Sequence, residues 1–220
     1  MNFLFSSLGK KIQIALSGIL LCFFLLMHLM NNLILFVGPD LFNSMVSTLE
    51  SIKPIIRIME FGLLGILILH IFNAVYLTLT NRESSSNKYL GQSINTTSSI
   101  NSRTMAISGT IILLFLIIHL RYLWYTYQVH SFLPGETYYD VILRNQWGYL
   151  GHTITSIFYI VSILFIAFHL KHGFQSALKT FGIKQKSKFG FLYKLSFLFW
   201  GLIPALFIII IISIQTGYIK

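Results

Sequence analysis

The sequence predicts an all-α membrane protein of five transmembrane helices, the first four forming a bundle, and three observations carry that prediction. Of 220 residues 55% are hydrophobic and only 10% are charged, with a mean hydropathy of +0.74, whereas soluble domains carry about a quarter charged residues. Five apolar runs reach the roughly 18 residues that mark a spanning helix. No segment reads as a soluble domain, so residues 1–220 form one transmembrane domain.

The expected spans are 12–37, 55–80, 104–127, 149–170 and 191–217. The first follows Lys10 and Lys11 in the manner of a signal peptide, but its length and the lack of a small-residue cleavage site favour a retained helix. Between the first and second spans, VGPDLFNSMVSTLESIKP mixes aromatics with charges and is expected to hold a short interfacial helix. The polar stretch from Glu83 to Asn101 joins two halves of the chain. VHSFLPGETYYDVILRNQWG, between the third and fourth spans, is expected to hold a second interfacial helix, with Trp124, Tyr125, Tyr127, Tyr138, Tyr139 and Trp147 near the interface. Cys22 is the only cysteine, which excludes an internal disulfide and a cysteine-held iron–sulfur cluster.

The net charge of +10 is distributed as a topological signal rather than a nucleic-acid surface. Lys10, Lys11, Arg82, Lys88, Arg103, Lys171, Lys179, Lys184, Lys186, Lys188 and Lys194 fall at one end; Lys53, Arg57, Arg121, Arg144 and Lys220 fall at the other. Five of the six acids, Asp40, Glu50, Glu60, Glu136 and Asp140, share that second end. The positive-inside rule then puts the N-terminus in the cytoplasm and the C-terminus outside.

The two halves repeat a pattern. LSGILLCFFLLMHL, ending just past His28, matches ISGTIILLFLIIHL around His119, each with serine eleven residues before histidine. HIFNA at His70 and HLKHG at His169 pair in the same way, each with a small residue, Ala74 or Gly173, four positions on. Eleven residues are almost three helical turns, so Ser17 and Ser108 share a face with His28 and His119 and leave room for something flat. At 1.5 Å per residue, His28 and His119 lie about 24–26 Å from the basic boundary, and His70 and His169 about 15–18 Å from it. Four histidines in two layers, one from each half per layer, suit axial ligation of two planar macrocycles. A single membrane histidine can instead bond a carbonyl or a serine. A proton relay would recruit carboxylates within the spans, where only Glu60 occurs, near one end. Zinc would want its ligands in one cluster. His172 shares a face with His169 and competes with it; His169 sits deeper in the apolar run.

LMHLMNN around His28, ILHIFNAVY around His70, SGTIILLFLIIH ending at His119, FHLKHGFQSALKTFG around His169 and FNSMVSTLESIKP in the first outer loop together resemble the dihaem cytochrome b membrane anchor of succinate dehydrogenases and fumarate reductases, in its single-subunit, five-helix, cytochrome b558 form. The resemblance covers essentially the whole chain. It implies electron transfer between an iron–sulfur partner and a quinone, usually menaquinone, through two b haems: an outer one held by His28 and His119 and an inner one held by His70 and His169. It implies a flavoprotein and an iron–sulfur subunit docked on the cytoplasmic side of a bacterial inner membrane, and leaves succinate and fumarate chemistry to them. A dimer of the complex is compatible with it.

Glu50 falls where related anchors carry an acidic residue at the quinone site, while Ala167 stands where some relatives have a proton-transferring glutamate. For haem propionates the candidates are Arg121, Arg57, Arg144 and, at the inner face, Arg103, because the guanidinium fork matches a carboxylate. Ser17 and Ser108 are candidates for propionate contacts or for back-bonding to a helix carbonyl. Two alternatives stay open: the cytochrome b anchor of a hydrogenase or formate dehydrogenase, and a haem-free, histidine-lined transporter.

Overall fold

The structure is a computed structural model that describes residues 6–86 and 96–220, with side chains described over 6–80 and 104–220. The segment 87–95, and the side chains of Arg82, Glu83, Lys88 and Arg103, lie outside what is described. The helices are α1 (Ser7–Leu33), α2 (Pro39–Ser51), α3 (Lys53–Ser86), α4 (Thr96–His119), α5 (Tyr125–Gln128), α6 (Tyr138–Leu143), α7 (Thr153–Thr180), α8 (Phe191–Phe197) and α9 (Ile203–Gln215). Among the described residues, five helical segments are long and apolar enough to cross a bilayer: Ser7–Phe36, Lys53–Thr80, Thr104–Gln128, Thr153–Thr180 and Phe191–Gln215. The protein is an all-α, multi-pass membrane protein.

Three span limits lie four or more residues from the sequence reading, one of them the start of the fourth span, at Thr153 rather than 149. The first span begins five residues earlier than expected, capped by Ser6, whose side chain accepts from Gly9 N–H at 3.0 Å. Lys10 fits inside that helix because its Nζ lies 3.0 Å from the centroid of the Tyr76 ring, giving the buried ammonium a partner. The fourth span runs on to Thr180 rather than stopping at 170. Lys171 is tolerated there because it lies over Trp200 of the fifth span, 4.8 Å from the ring centroid.

The first span packs against the second and the fourth, and the third packs against the fourth. The fifth lies against the fourth and the first, and the second and third touch only lightly. Opposite corners of the four-span arrangement are thus first with third and second with fourth. Small polar side chains sit buried at the seams, among them Ser17, Ser108, Thr155, Ser156, Ser162 and Ser196. Such residues let backbones approach where lipid removes any hydrophobic drive between helices. Large apolar side chains such as Phe23, Ile58, Phe61 and Phe72 point outward, as a hydrocarbon solvent requires.

Both outer connections form the short helices expected of them, α2 and α6, and these pack on each other. The join includes Asn43 Oδ1 accepting from Tyr139 N–H at 3.0 Å and the Phe42 ring meeting Tyr139 edge-on. Tyr139 is buried at 3% exposure and packs in the core of this cap. Thr137 and Asp140 close a capping box at the start of α6.

Gly148 turns the chain from α6 toward the fourth span with φ +96°, and a Cβ there would overlap the ring of Tyr122. Gly148→Ala is therefore expected to destabilise the outer half by about 2 kcal/mol, read as a lowered unfolding midpoint in detergent.

Candidate functional site

The outer histidines meet across the bundle. Their ring centroids are 5.7 Å apart and the rings stand 87° to each other. Each is backed by a phenylalanine one turn earlier in its own helix, Phe24 on His28 and Phe115 on His119, both at 5.5 Å. Phe207 of the fifth span lies 5.7 Å from His28, and Tyr159 of the fourth lies 6.0 Å from His119. Nδ1 of His119 is buried without a hydrogen-bond partner among the described residues, and so is Oη of Tyr159. An orphaned nitrogen in an apolar setting costs free energy unless a ligand takes it. The Asn32 amide bonds the His28 carbonyl at 2.8 Å and stands 3.5 Å from His28 Nε2, at the outer limit of a hydrogen bond.

The inner histidines are held in a different and internally repeated way. Ser17 Oγ lies 2.9 Å from His70 Nδ1, and Ser108 Oγ lies 3.2 Å from His169 Nδ1. Each serine hydroxyl donates to a carbonyl of its own helix, Ser17 to Gln13 O at 2.6 Å and Ser108 to Met105 O at 3.1 Å. With its proton committed, the serine oxygen accepts from the imidazole, which sets the Nδ1–H tautomer and leaves Nε2 with its lone pair. Neither Nε2 has a hydrogen-bond partner among the described residues. Gly18 and Gly109 complete the cradle: a Cβ on Gly18 would come within 3.3 Å of His70 Cε1, and one on Gly109 within 3.8 Å of His169 Cε1.

The two sets are axially separated. Ser17 precedes His28 by eleven residues, about 16 Å along a helix, and the same interval separates Ser108 from His119. His70 and His169, seated against those serines, therefore form a layer of their own. The small residues of the two matching stretches serve the inner histidines, not the outer ones with which they share a helix. Ser17 and Ser108 back-bond a helix carbonyl, one of the two roles expected of them, and spend the remaining lone pair on an imidazole. His172 makes no such contact, which favours His169 as the functional member of that pair.

Of the other anticipated residues, Glu50 sits in an outer cluster with Lys53 at 2.8 Å and His130 Nε2 at 3.7 Å. Arg121 is exposed and stacks over Tyr125, 4.9 Å from the ring centroid, with no carboxylate at salt-bridge distance among the described residues. Arg57 pairs with Glu60 at 2.9 Å. Arg144 forks onto Glu136 through Nε at 2.6 Å and through Nη2, and also bonds Tyr149 Oη at 2.9 Å and Ser131 O at 2.8 Å. That fork is filled, so Arg144 is a structural staple of the cap and not an open carboxylate receptor. Arg103 lies outside the described side chains.

Phe207 and Tyr159 beside the outer histidines were not anticipated, nor were four further contributors. Phe24 and Phe115 repeat a Phe-x-x-x-His spacing visible in the two matched stretches. Asn73, buried at 3% exposure, donates to Gln13 Oε1 at 2.8 Å one turn below His70. Glu60 accepts at one carboxylate oxygen from Trp124 Nε1 at 3.0 Å and Gln128 Nε2 at 2.9 Å, fastening the second span to the third. Nothing in the sequence links those last residues, which are 64 and 68 positions apart.

The donor set suits flat groups held by imidazoles: His28 and His119 face each other in the outer layer, His70 and His169 sit on matching serines in the inner one, and no cluster of three or more metal-binding side chains occurs among the described residues. Comparison of the chain with models of known protein families, with curated proteins and with solved structures gave no match.

Proposed function

We propose that the chain is the membrane anchor and electron-transfer subunit of a succinate:quinone oxidoreductase, seated in a bacterial cytoplasmic membrane with its lysine-rich end toward the cytoplasm. The observation that carries it is the repeated Ser–His contact, Ser17 to His70 and Ser108 to His169, beneath a His28–His119 pair whose rings meet. The succinate and quinone assignments rest on the motifs around the four histidines and in the first outer loop. The basic end follows the positive-inside rule.

Haem b, one per layer, supplies one-electron transfer when bound. His28 with His119 and His70 with His169 are the residues to hold it. The serines keep each inner imidazole in the tautomer that presents Nε2. Phe24, Phe115 and Phe207 pack the outer imidazoles and exclude water from them. At the outer end Glu50 is the proton acceptor for quinol, with Lys53 Nζ at 2.8 Å and His130 Nε2 at 3.7 Å beside it. A flavoprotein and an iron–sulfur protein dock at the lysine-rich end, where an opening of about 520 Å³ is lined by Lys11, Ser176, Lys179 and Thr180.

The test is an absorbance spectrum of the purified, dithionite-reduced chain, expected to show a haem b α-band; its absence in protein expressed with ample haem sinks the redox reading. Copurification with flavin and iron–sulfur subunits that reduce fumarate or oxidise succinate separates this assignment from a hydrogenase or formate dehydrogenase anchor. A finer expectation follows from the serines. Ser17→Ala or Ser108→Ala should weaken retention of the inner haem about 10- to 100-fold, measured by haem loss to apomyoglobin, with the outer haem unchanged.

A further inference from the structure

At the lysine-rich end the fourth span closes in a helix-stop motif built on Gly182 at φ +73°. Gly182 N–H bonds Lys179 O at 3.0 Å and Ile183 N–H bonds Leu178 O at 2.9 Å. Two more turns follow, Ser187 N–H to Lys184 O at 3.0 Å and Gly190 N–H to Ser187 O at 2.8 Å. Tyr193 Oη then donates to Ile183 O at 3.1 Å, tying the connection to the fifth span. This hydrogen-bonded loop holds open a cavity of about 890 Å³ lined by Lys179, Lys184, Lys186 and Lys194, with Gln175 and Tyr193 among its polar walls.

None of these four lysines joins an ion pair among the described residues. All five carboxylates with described side chains belong to the opposite end of the bundle. Four ammonium groups around one cavity repel one another unless an anion enters. The cavity is also flanked by apolar surface: Phe191 lines it at 57% exposure, and Phe181 and Phe189 stand exposed on the same short loop. A free anion or an acidic soluble segment has no use for those rings at the end of a membrane span, whereas a lipid with a charged head and apolar tails uses both.

We propose that this cavity binds the phosphate headgroup of an anionic phospholipid, with its acyl chains against the exposed aromatic rim and the fifth span. Basic pockets between spans at the positively flanked side recognise such headgroups through summed charge. The site is separate from the histidine layers and its occupancy does not depend on haem.

The full chain, purified in detergent, is incubated with dioleoylphosphatidylglycerol or dioleoylphosphatidylcholine, and retained lipid is counted by native mass spectrometry. Retention of the anionic lipid alone is expected, weakening about fivefold for each of Lys179→Gln, Lys184→Gln, Lys186→Gln and Lys194→Gln. Changing Lys11, Lys53, Lys171 and Lys220 to Gln removes the same charge elsewhere and should leave retention intact. If any of these variants does not fold, Lys186→Glu on the exposed loop should still lower retention at least fivefold. The proposal is overturned if phosphatidylcholine is held equally or if the pocket variants retain lipid like the parent. It is also overturned if millimolar inorganic phosphate displaces the lipid, or if the lysines govern only capture of a soluble subunit.

Discussion

Replacing any one of the four layered histidines with alanine is expected to halve the haem content of the purified chain, from two per chain to one. His28→Ala and His119→Ala should delete the same outer component, and the double variant should lose no more than either single. His70→Ala and His169→Ala should together define the inner component. The reason is geometric: His28 and His119 come from opposite corners of the bundle and meet at 5.7 Å, so neither has another imidazole to fall back on. Two ligands acting as one unit give non-additive losses. The measurement is a pyridine haemochrome assay with reduced-minus-oxidised spectra of each variant. If His28→Ala and His119→Ala delete different components, the pairing by layers is wrong. If His169→Ala keeps both haems while His172→Ala loses one, the inner ligand moves by three residues.

Arg144→Ala should destabilise the outer cap by about 1–3 kcal/mol, because it leaves a partly buried carboxylate without its partner. Arg144 and Glu136 are each only 9% exposed, and the guanidinium also ties Ser131 and Tyr149, so one side chain binds both ends of the loop that carries α6. The hydrogen-bonded guanidinium holds the Glu136 carboxyl below its ordinary pKa, with the Leu133 N–H assisting. A carboxyl whose pKa falls on folding stabilises the protein above its unfolded value, about 4.3 for glutamate, and that stabilisation disappears as pH drops through the lower, folded value. The gap in unfolding midpoint between the parent and Arg144→Ala, measured in detergent, should therefore be full at neutral pH and narrow below about pH 4. Arg144→Lys should recover only part of the loss, since an ammonium cannot reproduce the fork. A midpoint for Arg144→Ala equal to the parent's would remove the staple role.

Much of the architecture was legible because a bilayer imposes strong rules on composition. The five spans, the two capping helices and the charge asymmetry follow from apolar run length and lysine placement. Two pairs of histidines at different depths were legible as well, but spacing put them about 6–11 Å apart, where the Ser17–His70 and Ser108–His169 contacts put them about 16 Å apart. What failed was inference about neighbours. A shared helical face marked Ser17 as leaving room beside a histidine, with a propionate or a helix carbonyl as its candidate partner, yet that face looks across at another helix, and there Ser17 also meets His70. Arg144 and Arg57 looked available for a ligand's carboxylates, but Glu136 and Glu60 already occupy them. The fourth span ran past Lys171 because Trp200, from a different helix, shelters the ammonium stem.

The division has a physical origin. Sequence alone determined what depends on distance along a helix or on transfer from water to hydrocarbon: the number of spans, their order, which span carries each histidine and the internal repeat. Tertiary structure decided what depends on which helices are adjacent, a choice made by small residues at the seams and by a few hydrogen bonds between distant positions. The serine that fixes an imidazole tautomer, the glycine that admits its ring and the glutamate that fastens the second span to the third all belong to that second class. Each is a single polar or small residue whose partner lies more than fifty positions away, and no local periodicity encodes such a pairing.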